Sequence, residues 1–144
     1  LRLELWGWND SIAATIAQAI ALADVVLGSA DEEIAPLAGV ERVEEAARAL
    51  SAGRRAVVAR LGERGALVCD PTGNLAHVPA FPVTVVDTLG AGDAFNGGFI
   101  AARLAGCDLP EAARWGNAVA ALKIARSGAR GTPTRAEVLR LLGG

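Results

Sequence analysis

The sequence predicts an α/β protein, with a partly parallel sheet and helices on its faces. Three observations carry this. Short apolar runs alternate with helical patterns along the chain. Hydrophobic residues make up 52% and charged residues 21%, the balance of a packed domain rather than a disordered segment. The length of 144 residues suits one modest domain.

The elements follow in order. Asp10 or Ser11 is placed to cap a helix through Ile12, Ile16, Ala19, Ile20 and Ala23, which recur at helical spacing. Asp24-Val25-Val26-Leu27 reads as a short buried strand. Ser29 and Glu32 fit a capping box for a second helix that carries Ile34 and Leu37 and stops at Gly39. A third helix is predicted from about Val40 to Leu50, with Gly53 as its stop. Arg55–Leu61 reads as an interior strand and Ala66–Cys69 as the next. The turn-rich run Asp70-Pro71-Thr72-Gly73-Asn74 predicts a hairpin to a strand over Leu75–Val78. Val83–Val86 is predicted as a further strand. Helices follow from Ala94 to about Leu104, from Pro110 as N1 to about Arg126, and from a Thr134 cap to Leu142.

Composition narrows the function classes. A formal net charge of −2 argues against a nucleic-acid-binding surface, and Arg126, Arg130 and Arg135 are too sparse to suggest one. Cys69 and Cys107 cannot build a disulfide framework and fit a reducing, cytoplasmic setting. No apolar run approaches the ~20 residues of a membrane span, and the opening residues lack the pattern of a signal peptide. The absence of Met suggests a processed start or a piece of a longer chain. Lys123 is the one lysine, which reads as codon bias. His77 has no partner for a metal site, and Trp6, Trp8 and Trp115 read as packing residues.

The chemistry concentrates in Val85-Val86-Asp87-Thr88-Leu89-Gly90-Ala91-Gly92-Asp93-Ala94-Phe95. This is a strand, a glycine-rich turn and a helix start. Such a loop turns backbone N–H groups into one cavity, and the helix end adds its positive dipole. It fits an anion, and phosphate is the obvious one. A P-loop would need Lys and Ser/Thr after Gly92, where Asp93-Ala94 stand. A dinucleotide fingerprint would need a small residue where Phe95 stands. A carboxylate at the cradle weakens passive phosphate binding. It makes sense if Asp93 takes a proton from a hydroxyl that attacks the phosphate. The plainer alternative for Asp93 is a helix-capping carboxylate.

The full run Asp-Thr-x-Gly-Ala-Gly-Asp-x-Phe resembles the signature of the ribokinase-like (PfkB) carbohydrate kinases. The resemblance implies a three-layer α/β/α fold. Residues 1–144 would form the C-terminal, nucleotide-binding part, without the lid and the N-terminal strands. It implies transfer of the ATP γ-phosphoryl to a sugar hydroxyl, with Mg²⁺ on the phosphates. Asp93 would be the base, and the N–H groups of Gly90, Ala91, Gly92 and Asp93 would meet the developing charge. Gly62, Glu63 and Gly65 match the family's Gly-x-x-Gly turn beside the nucleotide phosphates, a pattern that is otherwise an ordinary hairpin turn. Asn117 matches an Asn near the adenine. Glu32 matches the Glu of a metal-linked Asn-x-x-Glu motif, with Ser29 in place of the Asn. A monovalent cation near Asp87-Thr88 is common in the family, and family oligomers often use the lid.

The opening Leu1-Arg2-Leu3-Glu4-Leu5-Trp6 is similar to a segment of 2-keto-3-deoxygluconate (2-dehydro-3-deoxygluconate) kinases, which fructokinases share. There the Arg approaches the substrate carboxylate, so Arg2 is the candidate sugar-acid contact. The run Ser29-Ala30-Asp31-Glu32-Glu33 tips the choice toward 2-dehydro-3-deoxygluconokinase, with fructokinase or a ribokinase-type enzyme as alternatives. The 144-residue chain alone is expected to bind nucleotide weakly and catalyse little. A non-catalytic anion- or nucleotide-binding module is the competing class.

Overall fold

Residues 9–128 and 131–143 are described in the computed structural model. Arg2, Trp6, Trp8 and Arg130 lie outside the described residues.

Four strands form one sheet in the order β1-β2-β3-β4. They are β1 (Val25–Ser29), β2 (Ala56–Arg60), β3 (Ala66–Cys69) and β4 (Leu75–Val78). The chain between β1 and β2 is helical, as a crossover requires. Leu61–Gly65 and Asp70–Asn74 are short enough that only antiparallel neighbours can join through them. The helices among the described residues are α1 (Asp10–Leu22), α2 (Ala35–Ala38), α3 (Val43–Ser51), α4 (Ala91–Leu104), α5 (Leu109–Ile124) and α6 (Arg135–Leu141).

Several helix ends form where local chemistry places them. Thr134 and Glu137 make a complete capping box on α6. Asp108 caps α5 by accepting from the Glu111 N–H, so Leu109 is N1 and Pro110 falls one position later than expected. Gly39 ends α2 in the left-handed region. At α1 the cap is Asn9, whose Oδ1 accepts from the Ile12 N–H at 3.0 Å, rather than Asp10 or Ser11.

Other expectations change. The Ser29–Glu32 capping box does not form. Residues Ala30–Ile34 make a π-helical turn, and the Ser29 N–H donates to Glu33 Oε2 at 2.7 Å. The wider turn brings the next carboxylate round to the cap. Helix α3 starts at Val43, and it ends with Ala52 in the left-handed region, one residue before Gly53. Val83–Val86 is not a strand. No described strand pairs with it, and the Val86 and Asp87 N–H groups donate to the Ile124 carbonyl at 2.8 and 3.1 Å. Val85 and Val86 stay 55% and 59% exposed.

The chain divides into two compact units, Leu1–Ala59 with Cys69–Leu75, and Arg60–Val68 with Ala76–Gly144. In the first, Ile34, Ala46, Ala47, Val57 and Val58 are buried. Gly28 leaves room for Ile34, because a Cβ there would lie 2.8 Å from Ile34 Cδ1. The Ser51 hydroxyl donates to the Arg55 carbonyl at 2.8 Å. Cys69 is buried and Cys107 half-buried, both as free thiols, and burial pushes the Cys69 thiol pKa up. In the second unit Phe95 and Phe99 stack with ring centroids 6.4 Å apart. Helices α4 and α5 approach closely through glycines. A Cβ on Gly116 would lie 2.9 Å from the Phe95 ring, and one on Gly98 would lie 2.7 Å from Val119 Cγ2. This packing fixes the start of α4, where the signature loop lies. Among the described residues no helix is long and apolar enough to cross a membrane.

Candidate active site

The signature loop belongs to the second unit and leads directly into α4. Gly90 is its N-cap, with φ 78° and ψ 10°. A side chain is strained in that left-handed geometry, so glycine is the residue that suits the turn. The Asp87 carboxylate braces the approach. It accepts from the Leu89 N–H at 2.9 Å and from the Gly128 N–H at 3.1 Å. Those two bonds hold its pKa below the usual range, with help from the charge on Lys123.

The four backbone donors expected from the sequence are not equivalent. The Ala91 N–H donates to the Thr88 carbonyl at 3.1 Å, so the turn itself uses it. That removes Ala91 from the open donor set. Gly92 and Asp93 occupy the first turn of α4, where N–H groups have no intrahelical acceptor. Their N–H groups lie at the positive end of the helix dipole, a geometry that suits an anion. Asp93 stands in the same turn with an exposed side chain. A carboxylate and the open N–H groups of a helix start are thus within one turn of each other. This pairing can bind a phosphoryl group and accept a proton beside it.

Two cationic side chains flank the loop. A Cβ on Gly92 would lie 3.5 Å from Arg60 Cζ, and one on Gly90 would lie 3.9 Å from Lys123 Cε. Arg60 ends β2, and its Nη1 donates to Asn96 Oδ1 at 2.7 Å. Lys123 is 2% exposed, and its Nζ is buried without a hydrogen-bond partner. The sequence reading missed Arg60, Asn96 and Lys123. A charge ending an apolar strand, just before a Gly-x-x-Gly turn, was the available signal for Arg60. For Lys123 it was its being the one lysine, read from the sequence as codon bias; its side chain lies against the Gly90 turn.

The Gly62–Gly65 turn starts two residues after Arg60 and is a tight 3₁₀ turn. The Gly65 N–H donates to the Gly62 carbonyl at 3.0 Å, and the Leu61 N–H donates to the Gly65 carbonyl at 2.7 Å. Glu63 is exposed on it. Asn117 is neither a surface residue nor open to a ligand through its amide NH₂. It is 5% exposed and donates to the Val78 and Pro79 carbonyls. Glu32 is exposed in the first unit. Among the described residues no group of three or more His, Cys, Asp or Glu side chains could hold a metal ion. Mg²⁺ does not need one, because it takes most of its ligands from phosphate and water.

A family model described as pfkB family carbohydrate kinase matches residues 1–135. This chain belongs to the pfkB family. Among its pfkB-type relatives, ribokinase from Haemophilus influenzae is 36% identical over 130 residues, covering 85% of this chain and 42% of the relative. Among solved structures, aminoimidazole riboside kinase from Salmonella enterica, complexed with aminoimidazole riboside and an ATP analogue, superposes with a TM-score of 0.84 at 35% identity. That match covers 100% of this chain and 50% of the other. A fructokinase double mutant from Vibrio cholerae, with fructose, ADP and potassium bound, gives 0.85 at 34% identity, covering 99% and 48%. These neighbours establish the ribokinase-like α/β fold. The chain spans half or less of the length of each.

Proposed function

We propose that this chain carries the phosphoryl-transfer half of an ATP-dependent sugar kinase. The observation that carries the reading is Asp93 beside the open N–H groups of Gly92 and Asp93 on α4. As the acceptor hydroxyl oxygen bonds to the γ-phosphorus, the bond to the ADP oxygen breaks, and the hydroxyl proton passes to the Asp93 carboxylate. Charge building on the transferring group meets the two N–H groups and the helix dipole. Mg²⁺ would supply charge neutralisation for the phosphates. Gly62, Glu63 and Gly65 form the turn that fits beside the nucleotide phosphates. Glu32, an exposed residue of the first unit, is kept as a metal-linked candidate on the family resemblance alone.

The acceptor is a small sugar. A 2-dehydro-3-deoxygluconate acceptor rests on Arg2 and on the Ser29–Glu33 run. Arg2 lies outside the described residues, and the Ser29–Glu33 bond gives that run a local structural role. The relatives named above support ribose or a riboside instead, and we adopt that class, with fructose next.

The test uses the protein at its full natural length and a panel of ribose, aminoimidazole riboside, fructose and 2-dehydro-3-deoxygluconate. ATP-dependent phosphorylation of at least one is expected. Asp93→Asn is expected to lower kcat about 10²–10⁴-fold with ATP affinity retained. An unchanged rate in that variant would overturn the catalytic reading and favour a non-catalytic nucleotide-binding module.

A further inference from the structure

Lys123 has no place in the mechanism above, yet its position is costly. Its ammonium is buried, unpartnered, and on the last turn of α5. A buried ammonium without a hydrogen bond is retained only where the surroundings compensate it. Three features do so here. The C-terminal end of α5 favours a cation. The Asp87 carboxylate is near enough to feel the Lys123 charge, although its hydrogen bonds go to Leu89 and Gly128. The Gly90 turn packs against Lys123 Cε. Asp87 and Gly90 belong to the loop that leads into the open N–H groups of Gly92 and Asp93.

We propose that Lys123 is the resident cation of the anion loop, a positioning residue whose ammonium holds Asp87–Gly90 and supplies fixed positive charge behind the phosphate. The proposal rests on the phosphate-binding reading above. It carries a consequence that departs from the resemblance. A second cation at the Asp87-Thr88 turn, where Asp87 is half-buried and Thr88 exposed, would be repelled by the charge of the buried Lys123 ammonium that Asp87 already feels. Phosphate binding by this protein is therefore independent of added monovalent cations.

The experiment measures ADP and adenosine binding by calorimetry, on the full-length protein, in potassium chloride and in tetramethylammonium chloride at equal ionic strength. Wild-type affinity for ADP is expected to change by less than about twofold on exchanging the salts. Lys123→Met keeps volume but not charge. It is expected to weaken ADP binding by on the order of tenfold or more while leaving adenosine unchanged. Lys123→Ser opens space and an oxygen ligand, and is expected to regain part of the loss in potassium only. A wild type that needs potassium for ADP overturns the proposal, as does a Lys123→Met variant that binds ADP like the wild type. If both variants lose their melting transition, the wild-type salt exchange decides alone. A wild type that binds no ADP in either salt overturns the nucleotide reading instead, and the same salt exchange is then read on inorganic pyrophosphate.

Discussion

The side-chain amide of Asn117 donates to the Val78 carbonyl at 3.0 Å and to the Pro79 carbonyl at 3.1 Å, so one residue of α5 holds the end of β4. Replacing it with Leu strands those two carbonyls. We expect Asn117→Leu to cost about 2–3 kcal/mol in denaturant unfolding. A variant that loses ATP affinity at unchanged stability would return Asn117 to the nucleotide and contradict a structural role.

Gly65 has φ 94° and ψ −125°, a region that side chains avoid. A Cβ there would also come within 2.6 Å of the Ala80 N and 2.7 Å of the Pro79 C. Backbone cannot move aside as a side-chain tip can. Gly65→Ala is expected to destabilise by about 2–4 kcal/mol, read as a lower denaturation midpoint. Gly62→Ala in the same turn meets open space and carries only its φ penalty, so it is expected to cost less. Equal losses at the two positions would refute the steric argument.

Glu137 reports on acid stability. The Thr134 N–H, then the Arg126 guanidinium and the Thr134 hydroxyl, hold its pKa at about 2 against an ordinary 4.5. A depressed carboxylate stabilises the fold fully above its unfolded pKa and loses that contribution as pH falls through its folded value. Stability is therefore expected to decline from about pH 4.5 toward pH 2, and Glu137→Gln to show a shallower decline across that window. Parallel acid profiles for the two proteins would show that the carboxylate is not responsible.

The contact between α4 and α5 should tolerate little added volume. Gly116→Val places methyl groups into the Phe95 ring, whose own helix carries Asp93. A loss of about 1–3 kcal/mol is expected, with kcat falling more than ATP affinity as Asp93 shifts. Thermal melts and steady-state kinetics on the full-length protein check both parts.

What the sequence revealed was mostly local. The Thr134 cap, Gly39 and the Gly90 turn act through neighbours a few residues away, and their residue types declare the geometry, although the Glu137 half of the Thr134 capping box was not anticipated. Ser29 misled by one position because a π-helical turn is wider than an α-turn. Val83–Val86 misled because a strand needs a ladder partner, which composition does not supply. Within the site, Gly90, Gly92 and Asp93 were visible as a motif. The commitment of the Ala91 N–H to Thr88 depends on how the turn closes, and no spacing rule shows it. Asn117 and Lys123 were opaque for a different reason. Their partners, Val78 in one case and Gly90 in the other, are distant in sequence, so only packing reveals which face of α5 meets them.

The burial of the one lysine also makes these 144 residues quiet toward reagents that attack side-chain amines. An acylating reagent that prefers amines finds its only side-chain target closed off. Modification of Lys123 must then wait for a local opening, and its rate becomes a clock for that opening. A phosphate-bearing ligand that locks the loop would slow this clock. Site protection could thus be followed at a single residue, without any label being engineered into the chain.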